Sequence, residues 1–159
     1  MNQHHRYSIA VEWTGNTGEG TRSYTAYRRD HVVSAPGKQP IEGSSDPAFR
    51  GDAARYNPEE LLVASLSACH MLWYLHLCSA NGLIVTGYRD DAGGVLAMNA
   101  DGSGAFSSVT LKPEVTLDAR HGDADRQKAI ELHESAHHHC FIARSMAFEV
   151  AVEPHVRMA

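Results

Sequence analysis

Along residues 7–13, Tyr7, Ile9, Val11 and Trp13 alternate with Ser8, Ala10 and Glu12. That period of two predicts a half-buried strand. A turn over residues 16–20 follows, and the stretch 21–35, rich in Thr, Tyr and Val, predicts one or two further strands. Residues 36–56 hold Pro36, Gly37, Pro40, Gly43, Pro47 and Gly51 among few apolar positions, which predicts a long polar loop without a core element. Loops of that length are uncommon unless they carry function. Asn57-Pro58-Glu59-Glu60 then opens a helix, with Asn57 as N-cap, Pro58 at the first helical position and Glu60 placed to close a capping box. Its two carboxylates lie at the positive end of the helix dipole. No breaker follows before Asn81-Gly82, a pair suited to a left-handed helix end, so the helix runs for about 23 residues, or ~35 Å.

Residues 61–80 are apolar nearly all round the helix, the pattern of a core helix or of a membrane span. Ser65, Ser67, His70 and His76 are costly in lipid, no basic flank orients a span, and the remaining chain needs an apolar partner. A core helix is therefore expected, with no membrane as partner. Beyond Gly82 the pattern predicts three or four strands over 83–91, 94–99 and 105–118, with a hairpin turn at 99–104. Asp123 or Asp125 opens a second helix running to about Cys140, with Ala129, Leu132, His133, Ala136, His137 and Cys140 on its inward stripe. Phe148, Val150 and Val152 alternate in a last strand. Neither repeat nor linker interrupts the chain, so the expectation is one α+β domain over residues 1–159, an antiparallel sheet wrapped on two helices.

Composition narrows the function classes. Forty-three per cent of the 159 residues are hydrophobic and 21% are charged, an ordinary globular balance. Fourteen Lys and Arg against 19 Asp and Glu leave a formal charge of −5 with no basic run, so nucleic acid is not an expected partner. The first ten residues, MNQHHRYSIA, lack the basic, apolar and small-residue segments of a secretory leader, and the chain is expected in the cytoplasm with reduced thiols. Three Cys at wide spacing fit neither a disulfide scaffold nor a CxxC zinc site, which leaves catalytic or buried thiols.

Cys69 lies about three turns into the first helix, beyond the reach of the helix dipole, so a reactive thiol there needs a cation beside it. Cys78, nine residues on, falls on the opposite face about 13.5 Å further along and is read as structural. Cys140 ends the second helix, and packing of the two helices can bring it to Cys69, so a disulfide between them is geometrically possible. His133, His137 and Cys140 recur at i, i+4 and i+7, a spacing that suits zinc. Imidazoles near a helix C-terminus also complement the dipole, and His137, His138 and His139 face several directions. A non-enzymatic module binding a metal or ligand through His133, His137 and Cys140 is the alternative reading.

Asn57-Pro58-Glu59-Glu60-Leu61 followed, after seven intervening residues, by Cys69, and Cys140 in the context Cys-Phe-Ile-Ala-Arg-Ser, resemble the OsmC/Ohr family of thiol hydroperoxide reductases. The resemblance runs from the first strand to the last. It implies a curved sheet around two central helices in an intertwined homodimer. It also implies a peroxidatic Cys69, a resolving Cys140, an assisting Glu59 and an assisting Arg. The Arg lies upstream of the motif, where Arg50 in Phe49-Arg50-Gly51 matches most closely and Arg55 and Arg28 are the other candidates. Phe141 stands where family members usually carry Pro, and His70 where Phe is commoner, which suggests a separate subgroup and a possible role for His70 in proton transfer. The implied activity is reduction of hydroperoxides, organic ones ahead of H2O2, in oxidative stress defence. A small or protein dithiol regenerates the enzyme, with no metal or organic cofactor. Because Glu59 precedes Cys69 by ten residues, ~15 Å along one helix, the carboxylate that serves Cys69 is expected from a second chain.

Overall fold

The computed structural model describes residues 4–159, so the first three residues of the N-terminal stretch lie outside it. Two compact units divide the chain, Met1–Leu61 and Leu62–Ala159.

In the first unit, strands β1 (Ala10–Trp13), β2 (His31–Ser34) and β3 (Ile41–Gly43) form an antiparallel sheet in that order. Val11 pairs with Val33, and Val33 with Ile41. Of the expected strand over 7–13 only Ala10–Trp13 forms, and it is not half-buried: Tyr7 and Ile9 before it and Val11 and Trp13 within it are 90, 62, 60 and 42% exposed. Their pattern needs a cover that this unit does not contain. β3 corrects the reading of residues 36–56 as loop alone, since one apolar residue, Ile41, suffices where β2 supplies the hydrogen bonds. Further on, Asp46 caps a short 3-10 turn, Pro47–Phe49, through its Oδ1 and the amide of Ala48 (2.7 Å). Arg50 closes that turn in the left-handed region, at φ 66°.

Helix α1 (Pro58–Ala80) begins as its sequence dictates. Asn57 Oδ1 accepts from the Glu60 amide at 2.8 Å, and Glu60 Oε2 accepts from the Asn57 amide at 3.1 Å, so the capping box is complete. At the other end Gly82 takes φ +73°, and the Leu83 amide turns back to the Cys78 carbonyl at 2.9 Å. The helix is long and apolar enough to cross a membrane, and within the single chain only Leu66, His70, Tyr74 and Cys78 are buried. These four recur every fourth residue, one narrow stripe of the all-apolar surface, and Leu72 on another face is 64% exposed.

The second unit adds β4 (Val85–Asp90), β5 (Gly93–Met98), β6 (Gly104–Leu111), β7 (Pro113–Leu117), α2 (Asp123–His139), β8 (Glu149–Val152) and β9 (His155–Met158). The expected strand over 105–118 is two strands broken at Lys112, whose amide goes to Asp90 Oδ1 at 2.6 Å instead of into a ladder. Helix α2 is capped by Gly122 rather than by an Asp, with Asp125 Oδ2 accepting the Gly122 amide at 3.1 Å. Two three-stranded sheets result, β4-β7-β9 and β5-β6-β8.

The chain is thus α+β as expected, but not wholly antiparallel. β8 lies parallel to β6 and β9 parallel to β7, because α2 carries the chain back to the starting end of the sheets before the last two strands form. One core cluster joins Tyr74 and Cys78 of α1 to Val115, Leu117 and Val156 of the β7–β9 side and to Ala129 and Ala136 of α2. The other joins Leu66 to Val109, Leu111 and Val150 on β6 and β8.

Candidate functional site

Cys69 projects half-buried from the middle of α1, and Cys140 is buried just past the end of α2. Both thiols are free, and Cys69 is near enough to Cys140 to raise its thiol further. The expectation that helix packing joins residues 71 positions apart therefore holds for this pair. Cys140 is fixed by its backbone: its amide donates to the His137 carbonyl at 3.2 Å, and its Sγ accepts from the Ala143 amide at 3.5 Å. Burial pushes its thiol up to about 11, the Ala143 amide works against that shift, and the Cys69 sulfur adds to it. A buried thiol of this kind stays protonated at neutral pH. Cys78 is a core residue beside Tyr74, with its thiol also raised by burial. It takes no part in the pair, as its position nine residues from Cys69 predicts.

Rings surround the dithiol. Trp73, one turn beyond Cys69, meets His139 at 5.0 Å and Phe141 at 5.5 Å between ring centroids, and these are the two residues that flank Cys140. Phe141, at the position of the family's usual Pro, is 66% exposed. This cluster was not read from the sequence, although the i, i+4 relation of Cys69 to Trp73 was available as a signal.

Glu59 is half-buried in the first turn of α1, ten residues and about 15 Å of helix rise from Cys69. The three candidate arginines belong to the first unit and differ in what they touch. Arg55 is drawn between Glu42 (3.6 Å) and Asp52 (3.7 Å). Neither Arg50 nor Arg28 has an ion-pair partner among the described residues, and Arg50 alone has the left-handed backbone. A non-glycine residue held there costs on the order of 1 kcal/mol, a cost that recurs at functional positions.

The proposed metal face does not form. His133 Nδ1 is bonded to His70 Nε2 at 3.0 Å, Cys140 Sγ accepts from the Ala143 amide, and among the described residues no three His, Cys, Asp or Glu side chains converge as a metal site. His139 caps its own helix through Ser135 O at 2.7 Å.

What the histidines do form is a buried pair. His70 is 0% and His133 2% exposed, and the His133 ring stacks on Tyr74 at 3.8 Å between centroids. Burial pushes both imidazoles down. His70 falls to about 4, with His137 adding to the effect and Asp90 opposing it; His133 falls to about 3, with His70 adding to it. Both are therefore neutral at physiological pH. His70 Nδ1, His133 Nε2 and His137 Nδ1 are buried without a partner.

A family model for OsmC-like proteins matches residues 51–155. Comparison with curated proteins finds no match. Among solved structures, an OsmC-like protein of unknown function from Vibrio cholerae O1 biovar eltor is 32% identical with a TM-score of 0.81, over 98% of this chain and 100% of that one. An organic hydroperoxide resistance protein from Elizabethkingia anophelis is 18% identical with a TM-score of 0.67, over 99% and 100% of the two chains. One from Legionella pneumophila is 15% identical with a TM-score of 0.63, over 96% and 98%. At those two identities the likeness is one of fold. The matched span, the Vibrio relative and the shared fold together establish that this chain belongs to the OsmC-like family.

Proposed function

We propose that the protein reduces organic hydroperoxides with Cys69 as the attacking thiol and Cys140 as the resolving thiol. The observation that carries this reading is the nearness of two free thiols, one half-exposed on α1 and one buried at the end of α2, with the first perturbing the ionisation of the second. The Cys69 thiolate attacks the outer oxygen of ROOH; the O–O bond breaks, RO⁻ leaves and takes a proton as ROH, and Cys69 becomes a sulfenic acid. The Cys140 thiol then attacks that sulfur, releasing water and forming the disulfide. An external dithiol returns both cysteines to thiols, and no step calls for a metal or organic cofactor.

The division of roles follows burial. The half-exposed thiol can meet a substrate, while the buried one, held protonated, is protected from peroxide and acts on the sulfenic acid beside it. In this reading Arg50 holds Cys69 as thiolate and Glu59 orients the Arg. The uncovered apolar surface of α1 and of β1 supports an intertwined homodimer, with Glu59 of one protomer serving its partner's thiol.

Cys140→Ser tests the resolving role. It is expected to complete one turnover with cumene hydroperoxide and then accumulate sulfenic or sulfinic Cys69, whereas normal cycling with dithiothreitol would remove Cys140 from the mechanism. Arg50→Gly tests the Arg. Relief of the left-handed backbone should leave the fold as stable or up to about 1 kcal/mol more stable. Alkylation of Cys69 at neutral pH should slow at least tenfold. An unchanged alkylation rate moves the role to Arg28 or Arg55.

A further inference from the structure

The turn that carries Cys140 has left helix geometry. Cys140 takes φ −66° and ψ 106°, its carbonyl accepts from the Arg144 amide at 3.0 Å, and the Phe141 carbonyl accepts from Ser145 Oγ at 2.8 Å. Together with the bonds to the His137 carbonyl and the Ala143 amide, these fix the internal shape of the turn. All four run between residues 137 and 145, so none of them ties the turn to α1.

Side-chain packing supplies that tie. Leu66, Cys69 and Trp73 recur at i, i+3 and i+7, on one face of α1. Toward the start of that face Ile142, Ala143 and Met146 pack against the core cluster that contains Leu66. Toward its end the Trp73 ring meets His139 at 5.0 Å, inclined at 36°, and Phe141 at 5.5 Å, edge to face at 84°. Residues 139 and 141 bracket Cys140, and along α1 Cys69 lies between Leu66 and Trp73. The His139 ring is itself fixed, because its Nδ1 donates to the Ser135 carbonyl of its own helix at 2.7 Å. Phe141 lies beyond the helix, mostly exposed, with the Trp73 ring beside it.

We propose that Trp73 is a positioning residue of the resolving step: its ring clamps the two residues that flank Cys140 and so presents the Cys140 thiol to the Cys69 sulfur. This rests on the dithiol reading of the site. In that step the Cys140 sulfur bonds to the Cys69 sulfur, the S–OH bond of the sulfenic acid breaks, and hydroxide leaves with the Cys140 proton as water. The hydroperoxide has already supplied the oxidising equivalents. Disulfide formation depends on how often Cys140 is presented to that sulfur, which attack of Cys69 on the peroxide does not. An aromatic pair is worth roughly two- to tenfold in an equilibrium beyond the area it buries, so loss of both contacts should cost on the order of tenfold.

The test is a rapid-quench single turnover of the full-length protein with cumene hydroperoxide, in which dimedone traps the sulfenic acid and mass analysis counts the disulfide. In Trp73→Leu, disulfide formation should slow by on the order of tenfold and the first oxidation by much less, so that excess peroxide yields sulfinic Cys69. The same presentation stabilises the disulfide, so the reduction potential of the pair should rise by about 30 mV for each tenfold lost. Trp73→Phe keeps an aromatic ring facing His139 and Phe141 and should recover most of both effects. Phe141→Ala, at an exposed position outside the core, should slow the same step by about threefold. An unchanged rate of disulfide formation in Trp73→Leu, or in Phe141→Ala where Trp73→Leu does not fold, overturns the proposal and leaves the dithiol reading standing. Equal slowing of both steps, or no recovery in Trp73→Phe, also overturns it. Wild-type protein that forms no Cys69–Cys140 disulfide overturns the dithiol reading and this inference with it.

Discussion

Replacing Cys69 by Ser is expected to reduce hydroperoxide consumption to the uncatalysed background, while Cys78→Ser retains most of it. A hydroxyl of the same size keeps the packing of α1 but is not ionised near neutral pH and is a poor nucleophile toward peroxide oxygen, so the loss is chemical. Cys78 provides the internal control. It is a thiol on the same helix, but it lies in the core against Val115, Leu117 and Tyr74, where burial holds it protonated and out of reach of substrate. Its Ser variant places a hydroxyl in that apolar setting and should lower stability by about 1–2 kcal/mol without touching the reaction. Peroxide consumption with excess dithiothreitol, beside urea denaturation of each variant, distinguishes the two effects. Full activity in Cys69→Ser would end the thiol assignment.

The second large effect is on stability against pH. His70 and His133 hold pKa values of about 4 and about 3 in the fold, below the ordinary imidazole value of 6.5. The unfolded chain therefore binds more protons than the native one between those limits, and stability must fall as pH falls. The contribution of the pair is complete above pH 6.5 and is lost progressively toward pH 3. At ~1.4 kcal/mol per pKa unit, acidification from pH 7 to 4.5 should remove roughly 3–5 kcal/mol. That is comparable to the whole stability of a modest domain. Urea midpoints at the two pH values measure it. The double variant His70→Leu with His133→Phe keeps apolar side chains of similar volume but has nothing there to titrate, so its midpoint should change much less. Equal slopes in the two proteins would show that the buried pair does not govern acid sensitivity.

How much of this was legible in the sequence depended on whether the determinant was local. The capping box of α1 and its glycine stop are contained in a few neighbouring residues, and both stand as read. β9 was missed because Glu153 and Pro154 end the alternation of β8, and the four residues His155–Met158 are too short to announce a strand. Its parallel pairing with β7 is a long-range property that no local pattern encodes. The alternation of Tyr7, Ile9, Val11 and Trp13 was real, yet burial is decided by what lies opposite, and in the single chain nothing covers that face. At the site, the motif position marked Cys69, and helix-end packing made Cys140 a fair partner. The His70–His133 bond joins residues 63 apart. His133 was visible on the inward stripe of its helix, but a helix apolar nearly all round gave His70 no inward face, and only the packed structure says that the two rings meet. Once they do, His133 is no longer available for the metal face that its spacing with His137 and Cys140 suggested.

The central claim is that Cys69 and Cys140 are one redox pair. Intact-mass analysis after one equivalent of cumene hydroperoxide, followed by peptide mapping, tests it most directly. The account predicts loss of two hydrogens, reversible by dithiothreitol, with the peptides of Cys69 and Cys140 linked and Cys78 remaining alkylatable. An oxygen adduct on Cys69 with Cys140 still free, or a linkage that includes Cys78, would contradict it.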